Sequence, residues 1–193
     1  MIFLNLLLAH LLADFVLQPH KLVAWKFKSW KGTAAHASVH FAANLLVFLP
    51  FLNDIRVWLV FVAVSATHFA IDSIKIEKEK HGRHFLAYFC ADQMAHLAVI
   101  SLVAGLFLGF PLEWNIVFWG NSLGETLTVL GINLLILLTY VVEILIFQVK
   151  RMKNRSLLFE PNYKSMLKRA FLFSALYVIF LVFAVYHAAA LGA

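Results

Sequence analysis

The chain has 193 residues, 63% of them hydrophobic and only 13% charged, and a formal charge of +6. A soluble domain carries about half apolar and a quarter charged residues, so this composition excludes an ordinary soluble protein and points to a polytopic all-α membrane protein. The single cysteine, Cys90, excludes an internal disulfide and a thiolate-rich metal knuckle.

Six apolar segments are read as membrane-spanning helices, at approximately 1–18, 33–53, 55–76, 85–110, 126–149 and 167–191. The first has no basic leader and carries His10 and Asp14, so it is expected to persist as a helix and not to be cleaved as a signal. Pro19 ends it. The following stretch, HKLVAWKFKSWK, mixes lysines with Trp25, Phe27 and Trp30, and is expected either to lie in the membrane interface or to form a loop whose lysines snorkel. Thr33 is the expected N-cap of the second span. The run EKEKHGRH after the third reads as a solvated turn, and Gly109, Pro111 and Gly120 mark the loop between the fourth and fifth. Residues 1–193 are read as one domain, with 1–110 a motif-bearing four-helix core and 111–193 two further helices.

Of the 16 Lys and Arg, all but Arg56 fall after the first, third and fifth spans, on one side of the membrane. By the positive-inside rule that side is cytoplasmic and both termini lie outside. The basic excess is therefore a topology and lipid-surface signal, with membrane lipids as partners and no nucleic acid. The oligomeric state stays open.

Charged groups inside a span cost about 2.5 to 3.5 kcal/mol each, so each needs a partner or a function. Here they are patterned. The first span carries His10 and Asp14 followed by Gln18, the second His36 and His40 followed by Asn44, the third His68 and Asp72 with Lys75 nearby, and the fourth Asp92 and His96. Each pair is spaced i, i+4, which sets both side chains on one helix face about 6 Å apart. With helices alternating in direction, all eight lie roughly 5 to 17 Å from the cytoplasmic ends, in one polar layer of a four-helix bundle.

Five imidazoles and three carboxylates without thiolate suit a divalent metal, one ion or two, zinc first with iron or manganese as alternatives. Asp14, Asp72 and Asp92 are the candidates for bridging ligand, histidine orienter or general base. Gln18, Asn44 and Lys75 take supporting or substrate-contact positions, Lys75 either meeting a phosphate or head group or snorkelling. Glu143, with Tyr140 near it, either faces the same cavity or only hydrogen-bonds within the bundle. A structural ion-pair network and a proton or ion relay are the competing readings of the layer. No HExxH, GxSxG or phosphate-loop motif occurs.

The segments LLAHLLADFVLQP, HASVH, HFAIDSIK and ADQMAHL together resemble a family of bacterial integral-membrane proteins known as domain of unknown function three thousand three hundred and seven. The chain is also distantly similar to inner-membrane proteins called membrane-bound metal-dependent hydrolases. The resemblance spans about the first 110 residues and implies a multi-pass bacterial inner-membrane protein whose histidine and aspartate motifs are its site. The expected function is a metal-dependent hydrolase of a lipid-like ester, amide or phosphoester at the cytoplasmic leaflet. A proton-coupled or metal-ion transporter and a non-catalytic, metal-stabilised membrane module are the alternatives.

Overall fold

A computed structural model describes residues 1–82, 84–106 and 122–191. Helix α1, Ile2–Leu11, continues through a π-helical turn at Leu12–Val16. Then come α2, His20–Lys28; α3, Trp30–Val47; α4, Ile55–His81; and α5, Phe85–Leu106. Helix α6, Ser122–Ile136, passes through a second π-helical turn, Leu137–Val141, into α7, Val142–Lys153, and α8 is Tyr163–Leu191. Among the described residues there is no strand.

Among the described residues, four helical stretches are long and apolar enough to cross a membrane: Ile55–His81, Phe85–Leu106, Gly124–Lys153 and Tyr163–Ala184. A fifth is obtained if Ile2–Val16 and His20–Lys28, bent by 88° from one another, count as one broken span. Helix α3 is not among them, because Lys31, Thr33, His36, His40 and Asn44 dilute its apolar residues. Of the expected six spans, four or five are recognised by length and composition among the described residues.

Several boundaries differ for local reasons. The first helical run stops at Val16, and Pro19 is the N-cap of α2 in an extended conformation, so the basic aromatic stretch is a helix and not a loop. Ser29, not Thr33, caps α3, its side chain accepting from the Lys31 backbone N–H at 3.1 Å. Thr33 is buried inside the helix. Helix α3 ends at Val47, ahead of a short 3₁₀ turn containing Pro50. The charged run predicted as a turn instead continues α4 to His81, supported by Glu77 pairing with Lys80 at 3.3 Å and His81 at 3.1 Å. The expected loop at Gly109, Pro111 and Gly120, and the last residues of the fourth predicted span, lie outside the described residues.

Helices α1, α3, α4 and α5 pack around a core that includes Leu6, Ala9, Ala43, Phe61 and Ile100, each at most 2% exposed. Helix α6 is held against α1 by Asn133, whose Nδ2 donates to the Leu4 carbonyl at 3.1 Å. Helix α2 folds back over α3 at Gly32, where a Cβ would overlap the Trp25 carbonyl and the Lys26 nitrogen. Only a residue without a side chain lets the two backbones approach that closely.

Candidate functional site

The polar residues of α1, α3, α4 and α5 meet in the interior. Asp14 sits in the π-helical turn of the first run, a local widening that is frequent at functional sites. Its Oδ1 lies 2.9 Å from both His36 Nε2 and His40 Nε2, and 3.6 Å from His68 Nε2. Its Oδ2 lies 3.6 Å from His10 Nε2. Asp72 Oδ2 is 3.5 Å from His68 Nε2 and 3.8 Å from His36 Nε2. Asp92 Oδ1 is 3.9 Å from His96 Nε2. The rings interlock: His40 stacks on His68 at 3.4 Å between centroids, and His96 lies 4.2 Å from His68 and 4.9 Å from His10. All eight are at least nine-tenths buried at the side chain.

Three sets of these residues each bring one ligand atom per residue within 4.8 Å of one another: His10, Asp14, His40 and His68; His36, His68 and Asp72; and Asp72, Asp92 and His96. Several buried polar atoms of the cluster lack a hydrogen bond, namely His68 Nε2, both ring nitrogens of His96, His40 Nδ1, Asp72 Oδ2 and Asp92 Oδ1. A buried polar atom without a partner costs about 1–3 kcal/mol, so several in one cluster fit a centre built to receive a cation. Nitrogen and oxygen donors suit zinc, iron or manganese equally in kind.

The supporting residues divide. Gln18, in the break after the π-helical turn, brings its Nε2 to 2.7 Å from His36 Nε2. Lys75 Nζ lies 3.2 Å from Asp92 Oδ2 and 5.7 Å from the Phe89 ring centroid, so it is paired and does not snorkel freely. Asn44 is buried, and its Nδ2 donates to the His40 carbonyl of its own helix at 2.9 Å. Glu143 serves a different junction: its carboxylate accepts from the Asn162 backbone N–H at 3.1 Å and from Arg169 Nη2 at 2.7 Å, tying α7 to α8.

Three residues outside the i, i+4 pairs join the site. Gln93 bridges the cluster, with Oε1 3.3 Å from His10 Nε2 and Nε2 donating to Asp92 Oδ2 at 3.0 Å and Asp14 Oδ2 at 3.4 Å. Lys26 reaches in from α2, with Nζ 2.5 Å from Asp72 Oδ2. Arg151 on α7 donates to Glu79 Oε2 at 3.2 Å, its guanidinium over the Phe85 ring at 4.1 Å. Gln93 was findable beside Asp92, whereas Lys26 and Arg151 depend on how helices outside the four motifs fold back.

A cavity of about 150 Å³ borders the cluster. Asp14, Gln18, Asp72 and Gln93 form its inner wall, Lys26, Lys75, Glu79 and Arg151 its charged side, and Phe15, Phe27, Phe89, Phe147 and Phe159 much of the rest. At about 30 Å³ per water it has room for several waters or one small polar group.

No curated protein and no solved structure matches the chain. The family described as Protein of unknown function (DUF3307) matches residues 2–123, well over half the length, and the chain belongs to that family.

Proposed function

We propose that this protein is a membrane-embedded metal-dependent hydrolase acting on a lipid-like ester, amide or phosphoester. The observation that supports it most is the meeting of five histidines and three aspartates from α1, α3, α4 and α5, with polar atoms lacking a hydrogen bond, beside a cavity of about 150 Å³. The bound group is a divalent ion, zinc first, which when held there supplies Lewis acidity and a water of lowered pKa. The nitrogen ligands are drawn from His10, His36, His40, His68 and His96, with Asp14 the central carboxylate. Asp72, on the cavity wall, would accept the proton of the attacking water, and Asp92, one helical turn from His96, pairs with Lys75. Lys75 and Arg151 face the substrate's polar group, and the phenylalanine wall excludes bulk water around it.

In this reading the chain crosses the bacterial inner membrane six times, α3 included. Its polar face is spared the lipid because His36, His40 and Asn44 are at most 1% exposed. The lysine-rich ends face the cytoplasm and both termini face outward.

The test is metal analysis of gently detergent-purified protein, followed by hydrolysis of chromogenic esters and phosphodiesters and of lipid extracts, with His40→Ala and His68→Ala as controls. The expected result is at least about one ion per chain, with both metal and activity lost in the variants. Less than ~0.2 ion per chain, unchanged in His36→Ala or His68→Ala, overturns the reading. Bound metal with ion flux in proteoliposomes and no hydrolysis would transfer the site to a transporter.

A further inference from the structure

Resting on the metal reading above, we propose that the centre takes one divalent ion, at Asp14, and that Lys26 and Lys75 supply fixed positive charge at the two carboxylates where a second ion would otherwise bind.

The three candidate ligand sets overlap at His68 and Asp72, so they cannot all be filled at once. They also differ in what already touches them. In the second set, Lys26 Nζ lies 2.5 Å from Asp72 Oδ2, the same oxygen that faces His68 and His36 at 3.5 and 3.8 Å. An ammonium at that distance repels a metal ion from the same oxygen. In the third set, Lys75 Nζ lies 3.2 Å from Asp92 Oδ2. In the first set, the ion-pair contacts of Asp14 among the described residues are all with histidines. That set alone combines four ligands with a carboxylate free of lysine.

The placing of Lys26 is built into its helix. On α2 the lysine is 8% exposed while the neighbouring Trp25 is 45% exposed, the reverse of a soluble amphipathic helix. A buried ammonium is tolerated only against a carboxylate, and Gly32 supplies the close approach of α2 to α3 that this contact needs. Charge gives the same answer. With the imidazoles neutral, three carboxylates against two ammonium groups leave one net negative charge. One divalent ion turns that into one net positive charge. Two ions make it three positive charges in a cluster screened from water, where uncompensated charge is strongly disfavoured.

The experiment titrates zinc, and separately manganese, into metal-depleted protein in detergent. Stoichiometry is read by elemental analysis and affinity by competition with a chelator. The wild-type chain is expected to bind one ion, with the uncoupled spectrum of a single manganese centre by electron paramagnetic resonance. Lys26→Met with Lys75→Met is expected to bind two, while Lys26→Arg with Lys75→Arg stays at one. Lys26→Met alone is expected to hold the first ion about tenfold more tightly, through loss of repulsion, so the idea survives a misfolded double variant. Two ions in the wild-type chain, or one ion with unchanged affinity in the folded methionine variants, overturns this assignment and leaves the metal centre standing. A wild-type chain that binds none overturns both.

Discussion

Asp14 is the residue on which the cluster turns: four histidines from three helices lie within 3.6 Å of its carboxylate. Asp14→Asn keeps the shape and removes the charge, so it is expected to abolish ion binding. Gln18→Ala, which removes only a neighbour of His36, is expected to weaken binding about 10–100-fold. Asn44→Ala is expected to leave the affinity nearly unchanged, because its hydrogen bond stays within α3. A chelator competition assay on the three variants ranks them, and any other order sinks the ligand assignment. At this scale the sequence was informative wherever one helix carries both partners, as in His10 with Asp14 or His68 with Asp72. It was uninformative for Lys26, since a lysine in a basic aromatic stretch reads as surface until its helix is seen folded inward.

Among the elements, α2 and α7 gain roles that the spacing of polar residues could not assign. Gly32→Val would drive a side chain into the Trp25 carbonyl, which cannot rotate away. It is expected to lift α2, cost about 1–3 kcal/mol of stability, and separate Lys26 from Asp72. A lowered apparent Tm, together with weaker cysteine cross-linking between α2 and α4, would show it, and a variant as stable as wild type would contradict the packing. Glu143→Ala breaks the pairing with Arg169 between α7 and α8 and is expected to cost about 1–3 kcal/mol. Its metal content should match wild type, and loss of the ion would return Glu143 to the site. The number of spans is harder to read from the sequence than the positions of the polar residues. Helix α3 carries its polar residues inward and so lacks the even apolar composition by which a span is recognised, and the π-helical turns have no sequence signature to betray them.

In the whole molecule, four helices meet at the buried cluster, so an ion bound as proposed would act as a cross-link of the fold as well as a reagent. An ion present at 100 times its Kd stabilises by about 2.7 kcal/mol. Stripping it with a chelator is therefore expected to lower the apparent Tm by roughly 5–10 °C, and its return to restore it. An unchanged melting temperature would mean that the ion is not held by α1, α3, α4 and α5 together. The general class, an all-helical protein with several helices apolar enough to cross a membrane, followed from composition and from where the few charges fall. The cavity did not, because its far wall comes from α7, which lies beyond the stretch the family match covers.

The π-helical turn that holds Asp14 also has a history in time. Its first partners, His36 and His40, follow it by 22 and 26 residues, whereas Gln93 follows by 79. At 5–20 residues per second of synthesis, that last interval is roughly 4–16 s. Within it His68, 54 residues after Asp14, also emerges, so all four histidines that meet the carboxylate are made before Gln93. The order of synthesis therefore gives the aspartate its imidazole partners before its amide partner.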